Sequence, residues 1–133
     1  MRVLFVEDDP MNRRVVGDML AMVGAQMTEA EDAETGLRLI ESENFSVVLM
    51  DLRMPGMDGL TAIDHIRRRI DTKANLPIIV VTADTALNIR EQCLSQGADD
   101  VILKPVAMKQ LFSSMGKLMV EAERRQKAAA QAS

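Results

Sequence analysis

The chain has 133 residues, 47% of them apolar, which suits one domain with a single core and excludes a disordered tail or a coiled-coil segment. Its formal net charge of −4 argues against a nucleic-acid binder working through a broad basic surface. No apolar run approaches the roughly 18–20 residues that cross a bilayer, no signal-peptide pattern opens the chain, and the one cysteine, Cys93, cannot make an internal disulfide, so a cytoplasmic domain is expected.

Residues 2–6 (RVLFV) read as a buried strand ended by acidic residues. Pro10 then suits the first turn of a helix, where its missing N–H costs nothing. That helix is expected to turn Met11, Val15, Val16, Met19, Leu20 and Val23 inward and to stop at Gly24. Residues 25–30 (AQMTEA) form a weaker strand of mixed polarity, nearer a sheet edge. A helix over 33–43 follows, with Leu37 and Ile40 inward. The apolar run 45–50 (FSVVLM) is the clearest strand, and 53–59 (RMPGMDG) is a loop punctuated by Pro55, Gly56 and Gly59. Leu60, Ile63, Ile66 and Ile70 recur at helical spacing. Residues 76–83 (LPIIVVTA) read as a strand that Pro77 can begin but not interrupt. A helix over 85–95 ending near Gly97, a short strand over 100–103 (DVIL) and a last helix carrying Val106, Leu111, Phe112, Met115, Leu118 and Met119 complete the order. The tail 123–133 lacks an apolar stripe and is expected to fray.

Five strands alternating with five helices predict an α/β fold: a doubly wound, five-stranded parallel sheet, (βα)5, covered on both faces. Right-handed crossovers place every strand's carboxyl end on one edge, where ligands of such folds bind. The residues just past those ends are Glu7, Asp8 and Asp9, then Asp51, then Thr82 and Ala83, then Lys104. Carboxylates crowded together without a counter-ion repel one another. A hard divalent cation removes that penalty, and Mg²⁺ takes oxygen ligands while keeping several waters. One Cys and one His do not provide a zinc site. A carboxylate, Mg²⁺, a hydroxyl and a lysine make a phosphoryl-transfer site. In it Asp51 can act as a nucleophile and form an acyl phosphate, Lys104 and the metal would neutralise phosphoryl oxygens, and Thr82 would donate a hydrogen bond. Ala83 is small enough to leave room beside Thr82.

With those motifs in hand, the chain resembles the receiver domain of two-component response regulators over residues 2 to about 120. The resemblance rests on VEDD after the first strand, MDLRMPGMDG after the third, VVTA closing the fourth and LKP closing the fifth. The intervals are 43 residues from Asp8 to Asp51, 31 from Asp51 to Thr82 and 22 from Thr82 to Lys104. It implies a flavodoxin-like sheet of order 2-1-3-4-5. It also implies that Asp51 accepts the phosphoryl group of a partner's phosphohistidine, and that Glu7 and Asp8 hold Mg²⁺ with Asp51 and the main-chain carbonyl of Arg53. Thr82 would be the switch hydroxyl and Lys104 the family's lysine, followed by a cis proline at Pro105. Asp9 falls one step late for the acidic pair and reads as helix N-cap chemistry.

Two positions set the chain apart. The family usually carries Tyr or Phe three residues before the lysine, where this chain has Val101, which is stiff at χ1 and makes no comparable swing. Either the output face responds by another route, such as a shift of the helix over 85–95, or the coupling is weak. Arg53 and Asp84, two residues past Asp51 and Thr82, occupy positions that tune water's access to the acyl phosphate in this family. Pairing of the two across the site would slow hydrolysis.

Blander readings stand beside these. Acidic residues at a helix start are favoured by its dipole alone. His65 reads as a solvated surface histidine rather than a phosphohistidine relay, Cys93 as a packed side chain, and 66–70 (IRRRI) as a charged helix face rather than a nucleic-acid patch. The leading function is a phosphorylation-switched signalling module, acting through altered partner binding or by passing the phosphoryl group onward in a phosphorelay, and not an enzyme beyond self-catalysed phosphoryl transfer and slow self-hydrolysis. It would comprise a receiver over 1–120 and a short helical extension or disordered tail over 121–133. Expected partners are a sensor histidine kinase or histidine phosphotransfer protein and a downstream protein at the 85–119 face. Nucleic acid and membrane are not expected, and the chain would be a monomer or weak homodimer. The chain is expected to be a stand-alone regulator or, since EDDPMN (7–12) also resembles receivers attached to hybrid sensor kinases, a piece of one. A phosphatase of the haloacid dehalogenase class is disfavoured because Arg53 stands where its general-acid Asp belongs. A flavin or nucleotide site is disfavoured because no glycine-rich phosphate loop follows the first strand.

Overall fold

The computed structural model describes residues 1–132. Its strands are β1 (Arg2–Val6), β2 (Gln26–Ala30), β3 (Val47–Met50), β4 (Ile78–Thr82) and β5 (Asp100–Leu103). They pair in parallel in the order β2-β1-β3-β4-β5. The three central strands are apolar at almost every position because both their faces are covered, whereas β2, at an edge, carries the mixed polarity of QMTEA.

Alternation along the strands splits the core into two layers. Leu4, Val6, Val48, Met50, Ile78, Val80 and Val101 face α2 (Ala33–Ser42), α3 (Gly59–Arg67) and α4 (Ile89–Gln96). Val3, Phe5, Val47, Leu49, Ile79, Val81 and Ile102 face α1 (Pro10–Ala21) and α5 (Met108–Ala132). Aspartates start three of these helices. Asp9, Asp32 and Asp58 accept hydrogen bonds from the main-chain N–H groups of Met11, Thr35 and Thr61 at 2.9, 2.7 and 2.8 Å. Each satisfies a donor that the helix itself leaves unpaired. No helix among the described residues is long and apolar enough to cross a membrane.

Several boundaries differ from the pattern-based expectation, for identifiable reasons. The α1 stripe is narrow: Val16 and Leu20 are buried, while Met11, Val15 and Val23 are exposed, Val23 lying in the turn after the helix that ends in Gly24 at φ +73°. The helix expected from residue 85 begins at Ile89 instead. Asp84 accepts from the N–H of Ala86 at 2.9 Å, a local turn that competes with the helical ladder. Phe45 is buried but precedes its strand, and Ile70 is fully exposed because α3 stops at Arg67. Helix α5 is assigned through to Ala132, consistent with the high helix propensity of its Ala, Lys, Arg, Glu and Gln residues; Ser133 lies outside the described residues.

The run 66–70 is not simply a charged face. Arg67 turns inward at the edge of the sheet opposite the strands' carboxyl ends. There its guanidinium donates to Gly97 O at 2.8 Å, Ala74 O at 2.8 Å and Leu76 O at 2.7 Å, and pairs with Asp99 at 3.0 Å. Asp99 in turn accepts the N–H of Ile78 at 2.8 Å, so one arginine ties α3, the 3-10 turn at Thr72–Asn75 and the starts of β4 and β5 together. Burial holds the Arg67 pKa below its ordinary value, against the opposing pull of Asp99.

Candidate functional site

Four strand ends build the site. Glu7, the first residue past β1, donates its N–H to Ala30 O at 3.0 Å, so the sheet's hydrogen bonding continues one residue into the acidic turn. Asp51, the first residue past β3, donates its N–H to Val6 O at 3.0 Å in the same way. Thr82 closes β4, and its carbonyl accepts the N–H of Lys104 at 2.8 Å, immediately after β5. The apolar strand that ends on Asp51 therefore holds that carboxylate on rigid backbone, beside groups contributed by the neighbouring strands.

The carboxylates converge. One ligand oxygen each from Glu7, Asp8 and Asp51 lie within 4.8 Å of one another. Glu7 and Asp51 are buried and Asp8 is exposed, which leaves one side of the group open to water. Lys104 Nζ donates to Glu7 Oε1 at 2.6 Å and stands 3.5 Å from Asp51 Oδ1. One ammonium cannot neutralise three carboxylates. Burial pushes the Glu7 pKa above its ordinary value, the neighbouring Asp51 adds to this, and Lys104 opposes it. Burial alone would lower the Lys104 pKa; its contacts with Glu7 and Asp51 outweigh that and raise it. An all-oxygen donor set with excess negative charge fits a hard divalent cation better than a soft transition metal.

Around this centre the remaining predicted residues take distinct places. Thr82 is 1% exposed and its Oγ1 accepts the N–H of Asp84 at 3.1 Å. Ala83 is exposed at the rim. Arg53 and Asp84 meet across the mouth, with Nη2 2.5 Å from Oδ2. The Ala86 N–H and then Arg53 hold the Asp84 pKa below its ordinary value. The same pair borders a cleft of about 580 Å³ that Leu52, Met54, Pro55, Leu60, Ile89 and Gln92 help to line. The Lys104–Pro105 peptide is cis. Val101 is buried against Val80 in the layer that contains Ile89 and Cys93. His65 is exposed, away from this edge on α3, and Cys93 is fully buried, where desolvation raises its thiol pKa.

Two further residues shape the site, one read from sequence only as loop punctuation and one not read at all. Gly59 opens α3 with its N–H on Leu52 O at 3.0 Å, and a Cβ there would stand 2.2 Å from the Asp51 carbonyl oxygen. Only glycine lets the loop return so close to the strand end. Arg13 reaches back from α1 to donate to Glu7 O at 2.8 Å. The glycine could be suspected from the loop's composition; nothing in the local pattern marks Arg13.

Comparison with known proteins gives the family and the fold. The family model described as the response regulator receiver domain matches residues 3–115. The sensor protein GacS of Pseudomonas syringae pv. syringae is 37% identical over 112 residues, covering 83% of this chain and 12% of that protein. The sensor histidine kinase RcsC of Escherichia coli K12 is 35% identical over 108 residues, covering 81% of this chain and 11% of its own length. The chain thus spans about an eighth of these relatives. Among solved structures, the receiver domain of the sensor histidine kinase PA1611 of Pseudomonas aeruginosa PAO1, which has a magnesium ion coordinated in its active-site cleft, superposes with a TM-score of 0.81. It is 32% identical, over 89% of this chain and 96% of that one. The receiver domain of the Francisella response regulator 1452 gives a TM-score of 0.83 at 26% identity, over 91% and 98% of the two chains.

Proposed function

Because the chain belongs to the response regulator receiver domain family and is homologous to the receiver domains of hybrid histidine kinases, we propose that Asp51 is its phosphoacceptor and that Mg²⁺ is held by Glu7, Asp8, Asp51 and the Arg53 main-chain carbonyl. The observation that carries the reading is the convergence of three carboxylates within 4.8 Å, with the Lys104 ammonium 3.5 Å from Asp51. When bound, Mg²⁺ offsets negative charge on the phosphoryl oxygens. The chain's own groups do the rest. An Asp51 carboxylate oxygen attacks phosphorus, forming a P–O bond as the P–N bond to the donor imidazole breaks. Lys104 neutralises charge that builds on the phosphoryl oxygens, and the Thr82 hydroxyl, which now accepts from Asp84, retains its own proton to donate to one of them.

The acyl phosphate adds a dianion that Thr82 and Lys104 must satisfy. Drawing Thr82 inward pulls on residues 83–88, which lead directly into α4, so the signal passes to the face shared by α4, β5 and α5. Val101 makes no ring swing there, and movement of α4 takes that role. The Arg53–Asp84 pair covers the mouth and slows water's attack, leaving self-hydrolysis slow. In this reading residues 1–120 form the receiver, residues 121–132 extend α5 beyond it, and the phosphoryl donor is a sensor kinase or a histidine phosphotransfer protein. Phosphatase turnover on small phosphate esters is disfavoured because Arg53 offers no general acid. Acetyl phosphate with Mg²⁺ tests the reading: intact mass should rise by one phosphoryl group, and the rise should vanish in Asp51→Asn and without metal. A phosphoryl gain retained by Asp51→Asn would overturn it.

A further inference from the structure

Glu7 and Asp8 are consecutive, yet one side chain is fully buried and the other is exposed. Their carboxylates nevertheless reach one cluster, and the peptide that joins them is held from two sides. The Glu7 N–H is fixed by the sheet through Ala30 O at 3.0 Å. The Glu7 carbonyl, which belongs to the Glu7–Asp8 peptide, is held by Arg13 Nη1 at 2.8 Å. Arg13 is the fourth residue of α1, and its own N–H closes the first helical turn on Asp9 O at 3.1 Å.

The guanidinium is oriented for this contact at some cost to itself. Its Nε is buried and has no hydrogen-bond partner among the described residues; the nearest counter-charge, Glu29 Oε1 on the edge strand β2, stands 3.6 Å away. An arginine serving only its ion pair would lay its planar fork squarely on that carboxylate. Here one arm reaches past Glu29 to a main-chain oxygen instead. Arg13 makes no ion pair with Glu7 or Asp8, so its charge is not what it supplies to them. We infer that Arg13 is a positioning residue for the metal site, clamping the Glu7–Asp8 peptide so that both carboxylates point at the cation. The inference rests on the Mg²⁺ reading proposed above. Partners that orient metal ligands from behind typically change metal affinity by about 10–100-fold when lost, and a clamp on the main chain belongs at the lower end.

The test is calorimetric titration of Mg²⁺ into the wild-type chain, Arg13→Met, which keeps the aliphatic stem without the donors, and Arg13→Lys, which keeps the charge and one reach of donor. Arg13→Met should weaken Mg²⁺ about tenfold with little change in melting temperature, and Arg13→Lys should recover most of that loss. Phosphorylation by acetyl phosphate should need more Mg²⁺ in Arg13→Met but reach the wild-type rate at saturation. If wild type binds Mg²⁺ and Arg13→Met binds it equally well, Arg13 is not a clamp and the metal reading survives. Global unfolding of Arg13→Met also overturns the inference, since it would make Arg13 a support of the whole fold. If wild type itself binds no Mg²⁺, the metal reading fails and the inference falls with it.

Discussion

Arg67→Met separates what holds this fold together from what makes it react. The substitution keeps a long apolar stem but removes four donor contacts, to Gly97 O, Ala74 O, Leu76 O and Asp99. Breaking a buried ion pair by removing one partner costs about 3–5 kcal/mol. Both side chains here are partly open, 22% and 25% exposed, so water recovers part of that. Asp99 also keeps the Ile78 N–H at 2.8 Å. A loss of about 3 kcal/mol remains, equivalent to a melting point roughly 10 °C lower for a domain of this size. Urea denaturation should show a lower midpoint with an unchanged slope. Because Arg67 works at the edge of the sheet opposite Asp51, the folded variant should still take up one phosphoryl group. A loss below about 1 kcal/mol would mean that the carbonyls rehydrate freely and that the arginine is no hub. A folded variant that cannot be phosphorylated would refute the separation of the two edges.

Gly59→Ala places a methyl 2.2 Å from the Asp51 carbonyl oxygen, so the loop must move; denaturation should show a loss of about 2 kcal/mol or more, with slower phosphorylation of Asp51. Glu7 has a raised pKa, so in the absence of metal its contribution to stability is fully present below the ordinary carboxylate value and is lost as pH rises through the raised one. Mg²⁺ needs the ionised form, so its affinity should fall as pH drops through that same window, and calorimetry in buffers of different ionisation enthalpy should detect proton release that disappears in Glu7→Gln. Arg53→Ala opens the mouth that the Arg53–Asp84 pair covers, and the phosphorylated form, followed by intact mass over time, should decay faster than wild type. An unchanged lifetime would remove the pair from the account.

The parts of the molecule legible in sequence were those encoded by contiguous residues. Val47 to Asp51 announces both a buried strand and the polar group at its end, and the same holds for the runs ending at Glu7, Thr82 and Lys104. Once alternating strands and helices imply a parallel sheet, those four ends share an edge without further information. What escaped was carried by single side chains reaching across sequence. Arg67 bonds residues up to 32 positions away, and Arg13 bonds a main-chain oxygen, so neither leaves a periodic trace. Counting apolar residues also overreached: Val15, Val23 and Ile70 fit a helical spacing but lie outside the narrow stripe that each helix buries. At Asp84 the local side-chain turn outweighed helix propensity and moved the start of α4 to Ile89.

On the proposed chemistry Asp51, and no other carboxylate of the cluster, carries the phosphoryl group. Borohydride reduction of the phosphorylated chain converts an aspartyl phosphate to homoserine, and tandem mass spectrometry of the digested product locates it. Homoserine should be found at position 51 alone, and only when Mg²⁺ was present during phosphorylation. Homoserine at position 8 or elsewhere with an intact Asp51, in a chain that gained one phosphoryl group, would contradict it.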